Sequence, residues 1–224
     1  MTDLQQLEQQ FHFRYPELYH RLYADGMLNW GTAGPDWISR QYPLLRQDPP
    51  LLLFANDFEL MPLDDIRSQM EEFADPDYWM RIRPGLLFVP FAGNGAGDLY
   101  CFLVTEKTAD DIPVVLFWHD ANRASYLARN LQDFIFRTML EAVTVVDTED
   151  YGLLPTKGFK EDLQRFLRTH RPYLKERQWQ RLTTVYNRES ATKFILDEQE
   201  LMALLEEEAG WTLWNGEFPY QQTS

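Results

Sequence analysis

Short apolar runs separated by turn residues constrain the fold of this chain more than any other feature of its sequence. Three such runs lie near the middle of the chain, at Gly85–Ala92, Leu99–Val104 and Ile112–Trp118. They are rich in aromatic and β-branched residues, and segments of this length and composition, bounded by turn residues, are typical of strands. The sequence therefore predicts three strands here.

The glycines between the first two runs, Gly93-Asn94-Gly95-Ala96-Gly97-Asp98, admit two interpretations. A phosphate-binding loop requires a helix directly after the glycines, because the helix amide groups bind the phosphate. Here a strand follows, and neither a Gly-Lys-Ser/Thr sequence nor the dinucleotide spacing is present. Glycine supplies the positive φ that a chain reversal needs, so we predict a hairpin turn. Its Asn94 and Asp98 alone would make a poor calcium site.

Helical periodicity precedes and follows these strands. We predict helices behind the capping box at Thr2, at Glu17 to about Ala24, at Pro62–Phe73, along Leu127–Met139, around Phe159–Leu167, after Pro172, and from Asp197 to Gly210. Leu51–Phe54 is predicted as a short buried strand, and Asn215-Gly216 as a hairpin signal. We divide the chain into an α+β domain at residues 1–147 and a mostly helical C-terminal extension at residues 148–224, packed on or beside it.

The charge of the chain is strongly negative, at −14, and unevenly spread. Residues 157–181 are the exception, with three acidic and eight basic side chains. An acidic body repels nucleic acid and anionic membranes and attracts a basic protein partner, although it also serves solubility alone. The basic stretch is a nucleic-acid patch, a segment that packs near the acidic parts, or a solvated helix face.

No segment of the sequence indicates secretion or membrane insertion. The N-terminus is polar, and no apolar run approaches the roughly 20 residues that span a bilayer. The single cysteine, Cys101, excludes an internal disulfide and a cysteine-rich metal site. We therefore expect a cytoplasmic protein, with Cys101 as a buried structural thiol in its strand.

The residue pattern predicts no catalytic, cofactor-binding or metal-binding residues. The four histidines, His12, His20, His119 and His170, do not stand at a metal-ligand spacing with other ligands. His119 and Asp120 end a strand, where neighbours point to opposite faces, so we expect them not to act together. Hydrolase, zincin and kinase signatures are absent from the sequence.

The order of the pieces resembles the SUKH superfamily, which includes the yeast cell-wall-assembly regulator and many bacterial proteins. The resemblance covers roughly residues 3–142. It rests on a proline-led helix ending in glycine, Tyr15–Gly26; a helix of the form Met61-Pro-Leu-Asp-Asp-Ile66; the segment Phe91–Phe102 with its Gly-Asp turn; and, after a proline–valine strand, a helix at Tyr126–Ile135.

The resemblance implies an α+β fold, with an antiparallel sheet flanked by helices, no cofactor and function by protein binding. It implies an immunity-type protein that masks a cognate bacterial toxin domain, a basic nuclease among the candidates, without membrane or direct nucleic-acid contact. We expect Asn94, Asp98 and Asp120, at the strand ends, to contact the partner. Two alternatives stay open: a regulatory or scaffold protein that binds a cellular enzyme through residues 157–181, and a hydrolase that uses His119 with a distant acid.

Overall fold

The structure, a computed structural model, describes residues 2–108, 111–144, 153–154, 158–190, 194–210 and 216–221. Within these residues the fold is α+β, as the resemblance implies: one six-stranded antiparallel sheet accompanied by α-helices. The strands are β1 (Glu59–Leu60), β2 (Phe88–Gly93), β3 (Leu99–Leu103), β4 (Val114–Phe117), β5 (Ala124–Ala128) and β6 (Glu217–Phe218). The helices are α1 (Asp3–Phe11), α2 (Glu17–Ala24), α3 (Tyr42–Leu45), α4 (Leu63–Ala74), α5 (Leu131–Glu141), α6 (Phe159–His170), α7 (Glu176–Tyr186) and α8 (Glu198–Ala209).

The chain forms two compact units. The first consists of Met1–His20, Glu59–Leu131 and Thr212–Ser224, and it contains the whole sheet with α1 and α4. The second consists of Arg21–Phe58 and Gln132–Trp211 and is mainly helical. The domain boundary predicted at residue 147 lies outside the described residues.

The strands of the sheet follow one another in sequence order, β1 to β6, each antiparallel to its neighbour. At one end of the sheet, the pairs Gly93↔Leu99, Leu99↔Phe117 and Phe117↔Ala124 form a single row across β2 to β5. The hairpin turns after Gly93 and after Phe117 therefore emerge side by side at this end. The predicted hairpin at the glycines is confirmed.

Both faces of the sheet are covered by buried aromatic side chains of the first unit. On one face, the Phe117 ring stacks on Tyr220 with centroids 4.0 Å apart. On the other face, Phe102 stacks on Phe91 at 4.6 Å and meets Tyr19 edge-on at 5.3 Å. Successive strand residues point to opposite faces, so a sheet buried on both sides needs continuous apolar runs. This explains why β2 to β4 do not alternate polar and apolar residues.

Local capping explains where several helices begin and end. The side chain of Thr2 accepts a hydrogen bond from the Gln5 N–H, and the Gln5 side chain accepts one from the Thr2 N–H, which completes the predicted capping box of α1. Asp197 accepts from the Glu200 N–H at the start of α8, and Gly210 ends that helix with a φ of 63°. The predicted helix from Asp197 to Gly210 is therefore confirmed.

Two secondary-structure predictions are wrong. The predicted helix over Tyr126–Ile135 begins instead at Leu131, because Ala124–Ala128 form β5 on the edge of β4. Helical spacing of leucines could not reveal this, since the pairing with β4 decides the conformation of so short a segment. Leu51–Phe54 form consecutive turns rather than a strand, although all four side chains are fully buried. The hairpin predicted at Asn215-Gly216 includes Asn215, which lies outside the described residues.

Cys101 is confirmed as a buried thiol. It lies fully buried in β3, on the same face as Phe117 and Tyr220. Burial raises the pKa of the Cys101 thiol well above its ordinary value, because the thiolate would lose its solvation. The residue therefore acts as a small apolar side chain of the core.

In the second unit, the buried His170 holds the turns at Leu51–Phe54. Its Nε2 accepts a hydrogen bond from the Leu52 N–H at 3.0 Å, so Nδ1 carries the proton and donates to the Phe166 carbonyl oxygen at 2.9 Å. Leu52 has a φ of 55°, an unusual conformation for a leucine. Burial lowers the pKa of His170 to about 3, because the charged imidazolium would be desolvated.

No helix in the described part of the chain is both long and apolar enough to cross a membrane.

We expect His170 to make the protein lose stability in mild acid. Below about pH 6.5 the unfolded chain binds a proton at this residue, and the folded chain does not until about pH 3. The free energy of unfolding should therefore fall by about 2 kcal/mol between pH 7 and pH 5 through this group. Urea unfolding at both pH values should show this loss in the wild type and not in His170→Gln. His12→Asn, at an exposed histidine, should keep the wild-type pH dependence; an equal loss in His170→Gln would contradict the assignment.

Candidate functional site

The sheet register brings the two hairpin turns of the first unit together. Asp98 directly precedes Leu99 in β3, and Trp118 directly follows Phe117 in β4. Since Leu99 and Phe117 are register partners, the turn of residues 94–98 lies beside the turn of residues 118–123. We call the surface formed by these two turns the sheet-end surface.

The carboxylate of Asp98 ties the two turns to each other. Its Oδ1 accepts hydrogen bonds from the backbone N–H of His119 at 3.1 Å and from the ring Nδ1 of His119 at 2.9 Å. Its Oδ2 accepts from Asn94 Nδ2 at 3.1 Å within its own turn. The side chain of Asp98 is only 4% exposed, so the carboxylate is held almost without water.

Hydrogen bonds keep this buried carboxylate charged. Burial alone would raise the pKa of Asp98, but the hydrogen bonds from His119 and Asn94 outweigh burial and lower the pKa below its ordinary value. Asp98 therefore stabilises the folded state above the pKa of an unfolded aspartate. This contribution is lost as the pH falls through the lower pKa of the folded state.

Asn94 and Gly97 shape the glycine turn around Asp98. Asn94 Oδ1 accepts from the backbone N–H of Asp98 at 2.8 Å and from that of Ala96 at 3.1 Å. Gly97 has a φ of 98°, and the His119 ring lies over it, 3.5 Å from where a Cβ would stand. The turn thus needs glycine at residue 97 for its backbone, and asparagine at residue 94 for its hydrogen bonds.

Three potential metal ligands also meet on this surface. Asp98, His119 and Asp120 each offer one ligand atom, and these atoms lie within 4.8 Å of one another. Sequence reasoning missed the group, because Asp98 lies in another turn and because the strand ends at Phe117, so the alternation argument does not apply to His119 and Asp120. The oxygens of Asp98 already accept three hydrogen bonds, two of them from His119, which explains why Asp98 and His119 lie together.

The same geometry gives His119 an acidic partner. A buried carboxylate on one ring nitrogen orients an imidazole so that its other nitrogen can accept a proton, as in general-base pairs. Within the described residues, however, the His119 ring has Asp98 as its hydrogen-bond partner, and no serine, cysteine or lysine side chain is bonded to it. The pair can orient a ring and link two turns, but the described residues supply no nucleophile beside it.

All three residues expected to contact a partner lie on the sheet-end surface. Asp120 is exposed, Asn94 is half-buried and Asp98 is buried. Asp98 and Asn94 therefore shape the surface from within, and Asp120 is the exposed charge. Their role in binding stays a prediction.

Sequence reasoning also missed that the segment before β2 contacts the residues behind the two turns. Tyr220 donates a hydrogen bond from its hydroxyl to the Trp118 carbonyl oxygen at 2.7 Å, and the hydroxyl also lies 3.0 Å from Met80 Sδ. Burial raises the pKa of Tyr220, and the nearby Tyr78, Asp120 and Asp98 raise it further. The segment around Met80 thus belongs to the same neighbourhood as both turns. Only a contact between distant parts of the chain reveals this.

A concave region of the first unit lies beside α1. The groove, of about 550 Å³, is lined by Gln5, Glu8, Gln9, Phe13 and Arg14. The carboxylate of Glu8 accepts from the Tyr15 N–H and bonds His20 Nε2, both at 2.8 Å. It is therefore used to join α1 to α2.

The two units differ in how their charges are arranged. The first carries sixteen acidic and seven basic side chains, a net charge of −9, and the second carries nineteen and fourteen, a net charge of −5. In the described part of the basic stretch, side chains pair with acids or lie over an aromatic ring, as one of the three interpretations expects, while Arg168 and Arg177 are 62% and 67% exposed, as on a solvated helix face. Arg165 pairs with Asp162, Arg168 with Asp48, Lys175 with Asp133, Arg177 and Arg181 with Glu207 and Glu208, and Arg171 lies over Trp179.

We expect the Asp98 carboxylate to be the stabilising element of the sheet-end surface. Asp98→Ala removes the acceptor of three hydrogen bonds and leaves the partly buried His119 N–H without its acceptor, which should lower the free energy of unfolding by about 2 kcal/mol. Urea unfolding at pH 7 measures this loss. The neighbouring Asp120→Ala, at an exposed side chain, should change it by less than about 0.5 kcal/mol. Equal effects of the two variants would show that Asp98 does not hold the turns.

Comparison with known proteins identifies a family. The sequence model of the SMI1 / KNR4 family (SUKH-1) matches residues 2–137, which is more than half of the chain. The match includes β1 to β5 and therefore both turns of the sheet-end surface. No curated protein and no solved structure matches the chain significantly.

Proposed function

Since this chain belongs to the SMI1 / KNR4 family (SUKH-1), we propose that it is a non-enzymatic immunity-type protein that neutralises a cognate toxin by masking it. Proteins of this family are immunity-type or regulatory proteins that bind partner proteins. The toxin, the masking mechanism and a location in the cytoplasm are our proposal for this chain. A basic nuclease domain is the partner that the charge of the chain favours.

The observation that carries the proposal is the preformed sheet-end surface. A binding surface loses less entropy on association when its loops are already ordered. Here the Asp98 carboxylate and the Asn94 amide fix both turns before any partner arrives. Asp120 then stands exposed on a rigid support, as a contact residue requires.

The charge of the first unit supports a basic partner. The first unit, which contains the sheet-end surface, has a net charge of −9. An anionic surface increases the rate at which a cationic protein associates, and the effect weakens as salt screens it. A nuclease domain binds nucleic acid through basic side chains, so a protein that covers those side chains with carboxylates would block substrate access.

The structure does not favour the regulatory alternative through residues 157–181. The basic side chains of α6 and α7 pair with acids of the second unit, for example Arg181 with Glu208 at 3.1 Å. Each such pairing lowers the net positive charge that α6 and α7 present to an acidic partner. The pair of His119 and Asp98 favours the hydrolase alternative. However, among the described residues no serine, cysteine or lysine side chain is hydrogen-bonded to the His119 ring.

A neutralisation assay tests the proposal. Toxin domains encoded beside the gene for this chain are expressed in bacteria with and without the chain, and survival and nuclease activity are measured. We expect survival and a stoichiometric complex with one of these domains. If the chain binds none of them and protects no cell, the immunity function is wrong.

We expect Asp120→Lys to lower the association rate of that complex by about 3- to 10-fold at low salt, because a rim charge acts mainly on the encounter of the partners. Stopped-flow mixing at 50 and 500 mM NaCl measures this effect, which should nearly vanish at the higher concentration. Asp36→Lys makes the same charge change at an exposed residue of the second unit and should have a smaller effect. An equal reduction by both variants would show that the sheet-end surface is not the contact.

A further inference from the structure

Trp79 is exposed in a way that the other described tryptophans are not. Trp79 is 69% exposed, whereas the other described tryptophans are partly buried: Trp30, Trp37, Trp118 and Trp179. Leaving an indole in water forgoes much of the free energy that its burial would supply. In the part of the chain that the structure describes, this position therefore stands out as a candidate for contact with another molecule.

The partly buried tryptophans show what an indole ring does in this protein. Arg123 lies over the Trp118 ring with its guanidinium carbon 4.0 Å from the centroid, and Arg171 lies over Trp179 at 4.1 Å. Trp30 and Trp37 donate their indole N–H to backbone carbonyl oxygens. Within the described residues, Trp79 has neither a cation over its ring nor a hydrogen bond from its indole nitrogen.

The neighbours of Trp79 hold it in its outward position. Tyr78 packs its ring against Phe73, with centroids 5.9 Å apart, and Met80 is 3% exposed, in the core cluster with Phe117 and Tyr220. Trp79 lies in a bend between these two inward-facing neighbours, and its side chain remains on the outside. Further along, the Arg83 N–H donates to the Tyr220 carbonyl oxygen at 2.9 Å. The indole is therefore mounted on an anchored segment, and a partner need not order it.

Trp79 stands in the neighbourhood of the sheet-end surface. A chain of contacts inside the first unit leads from Met80 Sδ to the Tyr220 hydroxyl, and from this hydroxyl to the Trp118 carbonyl oxygen. His119, the next residue, is bonded to Asp98. The exposed indole is thus connected to the two turns through Tyr220, which is fully buried.

The charges around Trp79 favour a cationic ligand. Asp75 and Asp77 are exposed just before it, Asp120 is exposed on the neighbouring turn, and the unit carries a net charge of −9. Arg81, two residues after Trp79, is also exposed and has the opposite sign. An indole face with carboxylates nearby attracts a guanidinium or ammonium group through its quadrupole and through charge.

We propose that Trp79 is the anchor of the partner-binding surface and that it receives an arginine or lysine side chain of a basic protein partner on its indole face. The inference rests on the proposed function, because it names the residue through which the masked toxin would be held. Asp77 strengthens this contact and Arg81 weakens it. The partner's basic side chain thus takes at Trp79 the place that Arg123 takes at Trp118.

The first test uses defined peptides in place of the unidentified partner. The full chain is labelled with 5-fluorotryptophan, the Trp79 resonance is assigned with Trp79→Phe, and the chain is titrated with acetyl-(Gly-Arg)₄-amide or acetyl-(Gly-Glu)₄-amide. We expect the arginine peptide to shift the Trp79 resonance in a saturable way, and 0.5 M NaCl to reduce the shift by half or more. No shift, or an equal shift with the glutamate peptide, overturns the proposal.

Charge variants sharpen this test. Asp77→Asn should weaken binding of the arginine peptide by about 2- to 5-fold, and Arg81→Gln should strengthen it by a similar factor, since each removes one nearby charge. The opposite order of the two variants would show that the site prefers an anionic ligand, and the proposal would be wrong.

The second test uses the toxin domain that the neutralisation assay identifies. Trp79→Leu should raise the Kd of the complex at least about 30-fold, as the loss of a central aromatic contact does. Leu44→Ala, at a 71% exposed side chain of the second unit, should leave the Kd unchanged. The urea midpoint of Trp79→Leu should equal that of the wild type, so a loss of binding cannot be assigned to unfolding. A Kd within 3-fold of the wild type would overturn the anchor.

The two proposals can fail separately. If no toxin domain is neutralised but the arginine peptide binds at Trp79, the immunity function is wrong and the cation-binding anchor is kept. If a toxin is neutralised with full affinity by Trp79→Leu, the immunity function is kept and the anchor is wrong.

Discussion

The charged carboxylate of Asp98 is the interaction on which the sheet-end surface depends. A buried aspartate is costly unless donors compensate for the water that it loses. His119 and Asn94 provide these donors from two different turns, so the charge that is costly to bury also fixes the relative position of both turns. The register of β3 and β4 makes this possible, because it places residues 98 and 118 side by side.

The strands around the glycine turn could be predicted from the sequence, since each apolar run is bounded by residues that cannot continue it. The caps at Thr2, Asp197 and Gly210 were equally predictable, because a cap depends on residues within one helical turn. Strand β5 was not predictable, as its conformation depends on an edge offered by β4. The turns at Leu51–Phe54 depend on a hydrogen bond to the distant His170, which the local sequence pattern does not predict.

In the candidate site, too, features set by local sequence could be predicted and features set by distant contacts could not. Asn94 and Asp98 stand out in the sequence because a glycine-rich turn needs side chains that bond its backbone. The link from Asp98 to His119 depends on strand register, and the exposure of Trp79 depends in part on its neighbour Met80, whose partner Tyr220 lies far along the chain. Polarity alone would place Trp79 in the core, since an aromatic side chain is a core residue by default.

The last described strand has a consequence for how the chain is made. Strand β6 pairs with β5, although residues 132–211 of the second unit lie between them in sequence. During synthesis the N–H and C=O groups of β5 that face β6 therefore remain unpaired until residues 132–211 have left the ribosome. Open strand edges recruit other chains. The interval before residues 217–218 arrive is thus the period in which a nascent chain is most exposed to aggregation, and in which a chaperone would have most to protect.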